Sequence, residues 1–216
     1  MIASLRTSWQ AYKGQPTATR LHVAVRVLTC PFAGLIAHFP KTGKVLDVGC
    51  GHGLLINLLA RDPDRQGLRL HGIDHDADKI AIARNSAPAG VDFSTRTLAG
   101  VDEVSCDIVT LVDVLYTINS ALWPVILAGC YRVLRPGGLL ILKEVVDRPR
   151  WKYWAIMAQE VLAVRVFSIT KGEAPHFEST ACYCRSLTQA GFRVEQAAPL
   201  PAGNWVSHYL FMAKKL

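Results

Sequence analysis

The chain has 216 residues, of which 50% are hydrophobic and 19% are charged, which is enough apolar surface to close the core of one α/β domain. These proportions exclude an intrinsically disordered chain, and the length is short for two domains. Lys and Arg outnumber Asp and Glu by 24 to 17, but they do not form runs with interleaved aromatic residues, so we do not expect nucleic acid as a partner.

The N-terminal part of the sequence changes character near residue 17. The residues before it, which include Gly14 and Pro16, are expected to be irregular. Over residues 21–39, apolar residues recur at steps of three and four. This spacing predicts one or two helices whose apolar stripe packs on the domain or covers the mouth of its active site. The segment contains Arg26 and Pro31 and has no small-residue cleavage site, so we do not expect a signal segment.

From residue 44 onward, short apolar strands alternate with helices, a pattern typical of a parallel sheet covered by helices on both faces. The predicted strands are residues 44–48, 68–73, 91–94, 107–112, 139–143, 192–196 and 206–213. The predicted helices are residues 54–61, a second from about residue 76 to the turn at 88–90, and 121–134, closed by Arg-Pro-Gly-Gly at 135–138.

A glycine-rich loop follows the first predicted strand and contains Gly49, Gly51 and Gly53, the first of which lies two residues after Asp47. Glycines allow a sharp turn and the close approach of a ligand, and open α/β sheets bind ligands beyond the carboxyl ends of their strands. A nicotinamide-binding loop would place its third glycine at position 54, where the chain has Leu54. A carboxylate at this point would also repel a pyrophosphate, so the loop favours a cationic or amino-bearing ligand.

Four motifs in a fixed order carry a resemblance to a known family. They are Val-Leu-Asp-Val-Gly-Cys-Gly-His-Gly at 45–53, Gly-Ile-Asp at 72–74, Cys-Asp-Ile-Val-Thr-Leu-Val-Asp-Val-Leu at 106–115 and Arg-Val-Leu-Arg-Pro-Gly-Gly at 132–138. Over roughly residues 43–145 the chain resembles the class I S-adenosylmethionine-dependent methyltransferases. The resemblance implies an α/β fold, a Rossmann-like three-layer sandwich. Its mostly parallel seven-stranded sheet would have an antiparallel C-terminal strand, and helices would precede it.

The resemblance also implies how the chain is divided. We expect one methyltransferase domain over residues 1–216. A helical N-terminal extension would occupy residues 1–42 and the cofactor-binding core residues 43–145. A helical cover on the acceptor side would occupy residues 146–190, and the final strands residues 191–216.

The first and second motifs imply the cofactor contacts nearest the glycine-rich loop. Asp47 and Gly49 would lie beside the amino and carboxylate end of the methionine moiety, and Gly51 and Gly53 would form the turn under the cofactor. Asp74, which ends the second strand, is placed to accept hydrogen bonds from the ribose diol.

Further positions are implied for the rest of the cofactor. His75 would line the adenine pocket, and Thr97 or Leu98 would close that pocket from the other side. Val112 and Asp113 lie where the family meets the methionine moiety and where the site opens towards the acceptor. A polar loop residue without a specific role is the alternative interpretation of His75.

The six cysteines, at 30, 50, 106, 130, 182 and 184, fall mostly inside apolar segments, as expected of reduced thiols. This favours a cytoplasmic location. Cys182 and Cys184 are separated by one residue, unlike the spacing of zinc knuckles, so we expect no metal site there.

The acceptor is less clearly indicated. After the fourth strand the chain has Val-Asp-Val-Leu-Tyr at 112–116 instead of Asn/Asp-Pro-Pro-Tyr, which argues against methylation of a nucleobase or amide nitrogen. A general base is needed only where the acceptor is protonated. Tyr116, Asp113 and His176 are the candidates, and His176 is preferred because an imidazole titrates near working pH. A residue that merely orders its loop is the alternative for His176.

Residues 151–169 are apolar around most of a helical circumference, but Lys152, Glu160 and Arg165 make them a poor membrane span. With Arg148 and Arg150 beside them, they predict a hydrophobic acceptor, aromatic or lipid-like. It would be free, presented at an anionic membrane surface on the inner face, or bound to an acidic carrier protein. Plain core packing and a dimer face are alternatives, and the oligomeric state is not predicted.

The sequence therefore predicts an enzyme that transfers a methyl group from S-adenosylmethionine to a small hydrophobic acceptor. One alternative is a catalytically silent S-adenosylmethionine-binding subunit with a regulatory role, since a fold does not establish activity. The other is a nicotinamide-dependent oxidoreductase, which Leu54 disfavours.

Overall fold

A computed structural model of the chain describes residues 2–146, 177–201 and 207–216. Within these ranges lies a seven-stranded sheet in the order β3-β2-β1-β4-β5-β7-β6. The strands are β1 (Thr42–Val48), β2 (Gly67–Asp74), β3 (Asp92–Thr95), β4 (Cys106–Val112), β5 (Leu134–Val145), β6 (Phe192–Pro199) and β7 (His208–Lys215). The first five pair in parallel, and β7 runs antiparallel between β5 and β6. The predicted fold class is confirmed.

Helices cover both faces of this sheet. They are α1 (Ile2–Ala11), α2 (Thr17–Thr29), α3 (Phe32–Ile36), α4 (Leu54–Leu59), α5 (Ala77–Ser86), α6 (Trp123–Val133) and α7 (Thr180–Gln189). Side-chain caps fix two of their starts, because Asp76 accepts from the Lys79 amide at 3.2 Å and Ser179 from the Cys182 amide at 3.2 Å. None of the helices in the described ranges is long and apolar enough to cross a membrane.

Two buried clusters lie on opposite faces of the sheet because neighbouring strand residues point to opposite sides. Val45 and Ile108 belong to the cluster under α2, α4 and α5. Leu46 and Val109, one position further along the same strands, belong to the cluster under α6 and α7. The central strands are therefore apolar on both faces, as their lack of alternation predicts.

The prediction that the first 17 residues are irregular was wrong for residues 2–11 but holds for residues 12–16, which form a turn and a bend. Helix α1 occupies Ile2–Ala11, and Tyr12, which follows it, is buried. The Tyr12 hydroxyl donates to the carbonyl oxygen of His52 at 2.7 Å and accepts from Asn57 at 3.1 Å. These partners lie forty or more positions away, so the local composition around Gly14 carried no sign of them.

The stripe predicted over residues 21–39 is divided between two helices. The chain breaks at Pro31, which separates α2 from α3, so the apolar spacing does not continue along one axis. Phe32, Leu35 and Phe39 are buried, as expected. On α2 the buried positions are Val23 and Val27, whereas Leu21, Val25 and Leu28 are exposed.

The segment Arg-Pro-Gly-Gly at 135–138 was predicted to be the turn that closes a helix, but it lies inside β5. Leu134 already pairs with Cys106 on β4, and the register shifts before Leu139 pairs with Ile108. Gly137 has φ +76°, which this irregular part of the strand requires. The predicted helix over 151–169 lies outside the described residues.

Candidate active site

The carboxyl ends of β1, β2, β4 and β5 meet at one edge of the sheet because these strands are parallel. Asp47 lies near the end of β1, and its register partners are Gly72 on β2 and Thr110 on β4. Asp74 ends β2 one strand away. The fold therefore brings together the acids and the glycine-rich loop that the sequence predicts as a cofactor site.

Asp47 is a buried acid whose side chain accepts a hydrogen bond from the Thr110 hydroxyl at 2.5 Å. Burial raises the pKa of Asp47 to about 7; the Thr110 hydrogen bond lowers it and the nearby Asp74 carboxylate raises it further. Within the described part of the chain, no basic side chain forms an ion pair with Asp47. Its charge can thus be balanced by a cationic ligand.

The three glycines of the loop have left-handed φ angles of +72°, +54° and +77° but different surroundings. A Cβ added to Gly49 would lie 2.8 Å from Val114, and one added to Gly53 would lie 2.5 Å from Phe93. A Cβ added to Gly51 would meet nothing within 4 Å. Gly49 and Gly53 are therefore required by packing as well as by the turn, whereas Gly51 borders open space.

Asp74 fixes this loop from the neighbouring strand. Its Oδ2 accepts from the Gly51 amide at 2.8 Å and its Oδ1 from the Asp76 amide at 3.0 Å. The side chain is buried, while that of His75 is 82% exposed and has its Nδ1 atom 3.4 Å from Asp74 Oδ1. Asp74 thus lies beside the glycine-rich loop, with His75 next to it at the surface, and the ribose contact of Asp74 stays a prediction.

The positions predicted to close the adenine pocket differ from one another. Thr97 is exposed and begins a short 3₁₀ turn, Leu98–Gly100. Leu98 packs towards α6, since a Cβ on Gly129 would lie 3.1 Å from its Cδ1 atom. Val112, at the end of β4, is partly buried and packs against the cluster under α2, α4 and α5. The adenine and methionine contacts of these residues remain predictions.

Asp113 follows β4 and lies in a buried ion cluster. Its carboxylate accepts from Lys143 at 2.5 Å and from Arg26 of α2 at 2.8 Å, and only 3% of its side chain is exposed. Burial by itself would raise the pKa of Asp113, but Lys143 and Arg26 overcome that effect and hold the pKa well below its usual range. Asp113 is therefore unsuited to act as a general base, which was one of its predicted roles.

Glu144 holds the loop that follows Asp113. Its Oε1 accepts from the backbone amides of Val114 at 3.1 Å and Leu115 at 2.9 Å. Burial raises the pKa of Glu144 to about 8, with a further contribution from the negative charge of Asp113. The sequence shows this residue as an acid at the end of a strand but gives no sign of its role.

His208, the first residue of β7, closes the cluster from the other side. Its Nε2 atom lies 2.8 Å from the carbonyl oxygen of Thr29, which only accepts, so Nε2 must carry the proton. Burial and the charge of Lys143 lower the pKa of His208 to about 3. The imidazole is consequently neutral, and its Nδ1 atom is buried without a hydrogen-bond partner in the described ranges.

Tyr116 lies in a 3₁₀ turn over Leu115–Thr117, immediately after the ion cluster. Its ring is buried, with its centroid 5.1 Å from that of Phe177. Trp123 fixes the turn by donating from its indole nitrogen to the Leu115 carbonyl at 3.0 Å. Tyr116 is thus at the predicted acceptor end, while His176 lies outside the described residues.

Several residues of this edge were missed in the sequence: Arg26, Thr110, Lys143, Glu144 as a clamp, and His208. The one available signal was the pair Lys143 and Glu144, two charged residues at the end of an otherwise apolar strand. Such residues are seldom fully buried unless they are paired. The others contact the site through pairings that no local pattern shows.

The residues at the ends of β1 and β2 fit S-adenosylmethionine. Asp47, a buried acid without a cationic partner in the described residues, would hold the ammonium group. Asp74 would accept from the ribose hydroxyls, and the open space beside Gly51 allows a ligand to approach the backbone. In the cluster of Asp113, Lys143 and Arg26 each charged side chain already has an ion-pair partner within the protein.

Comparison with known proteins gives a consistent assignment. A family model described as a methyltransferase domain matches residues 26–197. A ubiquinone biosynthesis O-methyltransferase of Xanthomonas axonopodis pv. citri is 28% identical over 172 residues, covering 77% of this chain and 69% of the relative. A ubiquinone biosynthesis O-methyltransferase of Pseudomonas entomophila is 29% identical over 125 residues. This match covers 55% of this chain and 51% of the relative, so the chain spans about half the length of that protein.

Solved structures support the fold. Human N-acetylserotonin methyltransferase in complex with S-adenosylmethionine superposes with a TM-score of 0.68 at 17% identity, covering 97% of this chain and 57% of that one. At this identity the likeness extends to the fold alone.

Proposed function

Because the chain belongs to the methyltransferase domain family and has S-adenosylmethionine as its cofactor, we propose that it methylates a hydroxyl oxygen of a small hydrophobic acceptor, aromatic or lipid-like. The names of the curated relatives, ubiquinone biosynthesis O-methyltransferases, support this acceptor class. A cytoplasmic enzyme that meets its acceptor free, on a carrier protein or at the inner face of the membrane is part of the proposal.

The proposal rests on the partners of the charged groups at the acceptor end of the site. Asp113 is neutralised by Lys143 and Arg26, and Glu144 is occupied by backbone amides. The aromatic pair of Tyr116 and Phe177 lies directly beyond them. Because these charged groups already have partners within the protein, this end of the site favours an uncharged, apolar substrate over a charged one.

The two ends of the site divide the work. When bound, S-adenosylmethionine supplies an electrophilic methyl group, and its transfer to the acceptor oxygen leaves the carbon–sulfur electron pair on sulfur. Asp47 and Asp74 hold the cofactor in place, and the Glu144 clamp keeps the turn that carries Tyr116 in position. We assign removal of the acceptor proton to Tyr116 or His176, since the lowered pKa of Asp113 makes that carboxylate a weak base.

The test is methyl transfer from tritiated S-adenosylmethionine to a series of catechols with alkyl chains of increasing length. An apolar acceptor pocket predicts that kcat/KM rises roughly fourfold for each methylene until the pocket is filled. Asp74→Asn should abolish incorporation, and Asp64→Asn, an exposed acid, should not change it.

Other outcomes would replace the proposal. Incorporation only into nucleic acid or protein, or a preference for the most polar acceptor, would show a different acceptor class. Saturable binding of the cofactor with no transfer to any acceptor would support the silent, regulatory alternative.

A further inference from the structure

Helix α2 crosses the mouth of the candidate site. The ring of His22 lies 5.2 Å from that of His52 in the glycine-rich loop. One turn further, Arg26 donates to Asp113, and the Thr29 carbonyl accepts from His208 of β7. Because positions 22, 26 and 29 lie on one side of a helix, this side of α2 faces the site from the cofactor loop to the acceptor end.

The side of α2 opposite the buried Val23 and Val27 is apolar and exposed, and it lies about 100° around the helix from the side that faces the site. Leu21, Val25 and Leu28 follow one another at steps of four and three, and their exposed fractions are 50%, 41% and 46%. Trp9 of α1 is 51% exposed and stacks with Arg20, whose guanidinium carbon lies 4.0 Å from the ring centroid. We call these four apolar residues the outer face. Aliphatic side chains grouped in this way mark an interaction surface more often than isolated ones do.

The charge around the outer face has a single sign. The first 46 residues contain six basic residues, Arg6, Lys13, Arg20, Arg26, Lys41 and Lys44, and no Asp or Glu, so they carry +6 of the net charge of +7. Arg6 and Lys13 are exposed on α1 and the turn that follows it. Arg26 pairs with Asp113 at the site, whereas Arg20 lies on α2 itself and Arg6 and Lys13 lie on and just after the neighbouring α1, with no acid in this stretch of sequence.

We propose that the outer face docks this protein on an anionic lipid bilayer. Leu21, Val25, Leu28 and Trp9 would enter the boundary between headgroups and acyl chains, and Arg6, Lys13 and Arg20 would contact the anionic headgroups. Tryptophan is favoured at that boundary because its ring is apolar and its N–H is polar. The docked protein holds the mouth of its site at the membrane surface, where a lipid-like acceptor is concentrated.

A bilayer matches this surface better than an acidic protein does. The three side chains of the stripe on α2 are aliphatic and carry no hydrogen-bonding group, while Arg20 precedes them on α2 and Arg6 and Lys13 lie on and just after α1. A bilayer supplies an anionic plane above a continuous apolar layer. An acidic protein partner would need its own apolar patch of matching shape. This docking goes beyond the proposed reaction and does not depend on it.

The experiment is flotation of the full chain with vesicles of phosphatidylcholine alone or of phosphatidylcholine and phosphatidylglycerol in equal parts. We expect at least tenfold greater partition onto the anionic vesicles, reduced by added salt. The variant Leu21→Gln, Val25→Gln, Leu28→Gln should lower that partition by about tenfold or more. Lys13→Gln should lower it roughly fivefold.

The matched control is Leu122→Gln with Val125→Gln, which changes two exposed apolar residues at the start of α6. This control should partition like the unchanged protein, and circular dichroism should show the same helix content in every variant. Transfer of methyl to a short-chain soluble catechol is measured in parallel and should be unaffected by the α2 variant. If no acceptor is ever methylated, the proposed function fails while the flotation result stands by itself.

The proposal is overturned by any of four results. The unchanged protein shows no preference for anionic vesicles, or the α2 variant partitions as well as the control. In the third result, sedimentation shows that the unchanged protein is a dimer and that the α2 variant is a monomer, which would make the outer face an interface between copies of the chain. Binding to an acidic carrier protein, but not to vesicles, would likewise replace the lipid with a protein partner.

Discussion

The proposed cofactor end and the proposed acceptor end of the site each contain a buried aspartate, but the two aspartates differ in their partners. Asp47, beside Asp74, has no basic partner within the described residues, and its pKa is raised to about 7. Asp113 is as deeply buried but lies between Lys143 and Arg26, and its pKa is well below the usual range. One acid is left for a ligand to neutralise. The other is neutralised by the protein and becomes part of the framework.

The substitution with the largest expected effect on stability is Asp113→Ala. The substitution leaves the fully buried Lys143 and the partly exposed Arg26 without their counter-charge, so we expect the free energy of unfolding to fall by about 4 kcal/mol. Urea denaturation measures it. The control is Glu195→Ala, which removes an exposed ion pair with Arg193 and should cost less than about 1 kcal/mol. Equal losses in the two variants would mean that the cluster does not stabilise the fold.

The glycines of the loop provide a second test, because Gly51 and Gly53 share a left-handed backbone but not their surroundings. Gly51→Ala should cost about 1 kcal/mol of unfolding free energy from backbone strain alone. Gly53→Ala adds a clash with Phe93, so the loss should reach about 3 kcal/mol. Calorimetric titration with S-adenosylmethionine should show weakened binding in Gly51→Ala. Unchanged affinity of the Gly51→Ala variant would show that the cofactor does not occupy the open space beside Gly51.

A third test concerns cofactor binding by Asp47, since the substitution Asp47→Asn keeps the shape of the side chain. We expect cofactor affinity to fall by about 1.5–3 kcal/mol, because a charge-assisted hydrogen bond to the ammonium is lost. Exposed Asp64→Asn serves as the control. An affinity within twofold of the unchanged protein would remove Asp47 from the cofactor site.

The pH dependence of cofactor affinity is a further test of the role of Asp47. A bound cation favours the ionised form of Asp47, so binding below pH 7 releases a proton and affinity should rise with pH until about 7, then level off. In the free protein the raised pKa has the opposite effect on folding. The stability that Asp47 contributes below pH 4 is lost as the pH rises through 7. Calorimetric titration with S-adenosylmethionine in two buffers of different ionisation enthalpy measures the proton released on binding. The Asp47→Asn variant should release none.

The same contrast explains what the sequence could predict. The strands, the helices after β1 and the cofactor residues from Asp47 to Asp74 come from contiguous motifs with local periodicity, and most boundaries were right to within a few residues. The acceptor end joins Arg26, Asp113, Lys143 and His208 from four distant elements. Its contacts depend on tertiary packing. The same dependence explains why the predictions for α1 and for the start of β5 were wrong.

The hydrogen bond between Thr29 and His208 joins positions 179 residues apart. A chain emerges from the ribosome with its N-terminal part first, so α2 is made long before the strand that secures it. Contacts of such separation also form late when a chain folds, because a long loop must close first. The active site is therefore completed only after the sheet has been assembled as far as β7, and an incomplete chain exposes the face of α2 that later covers the site.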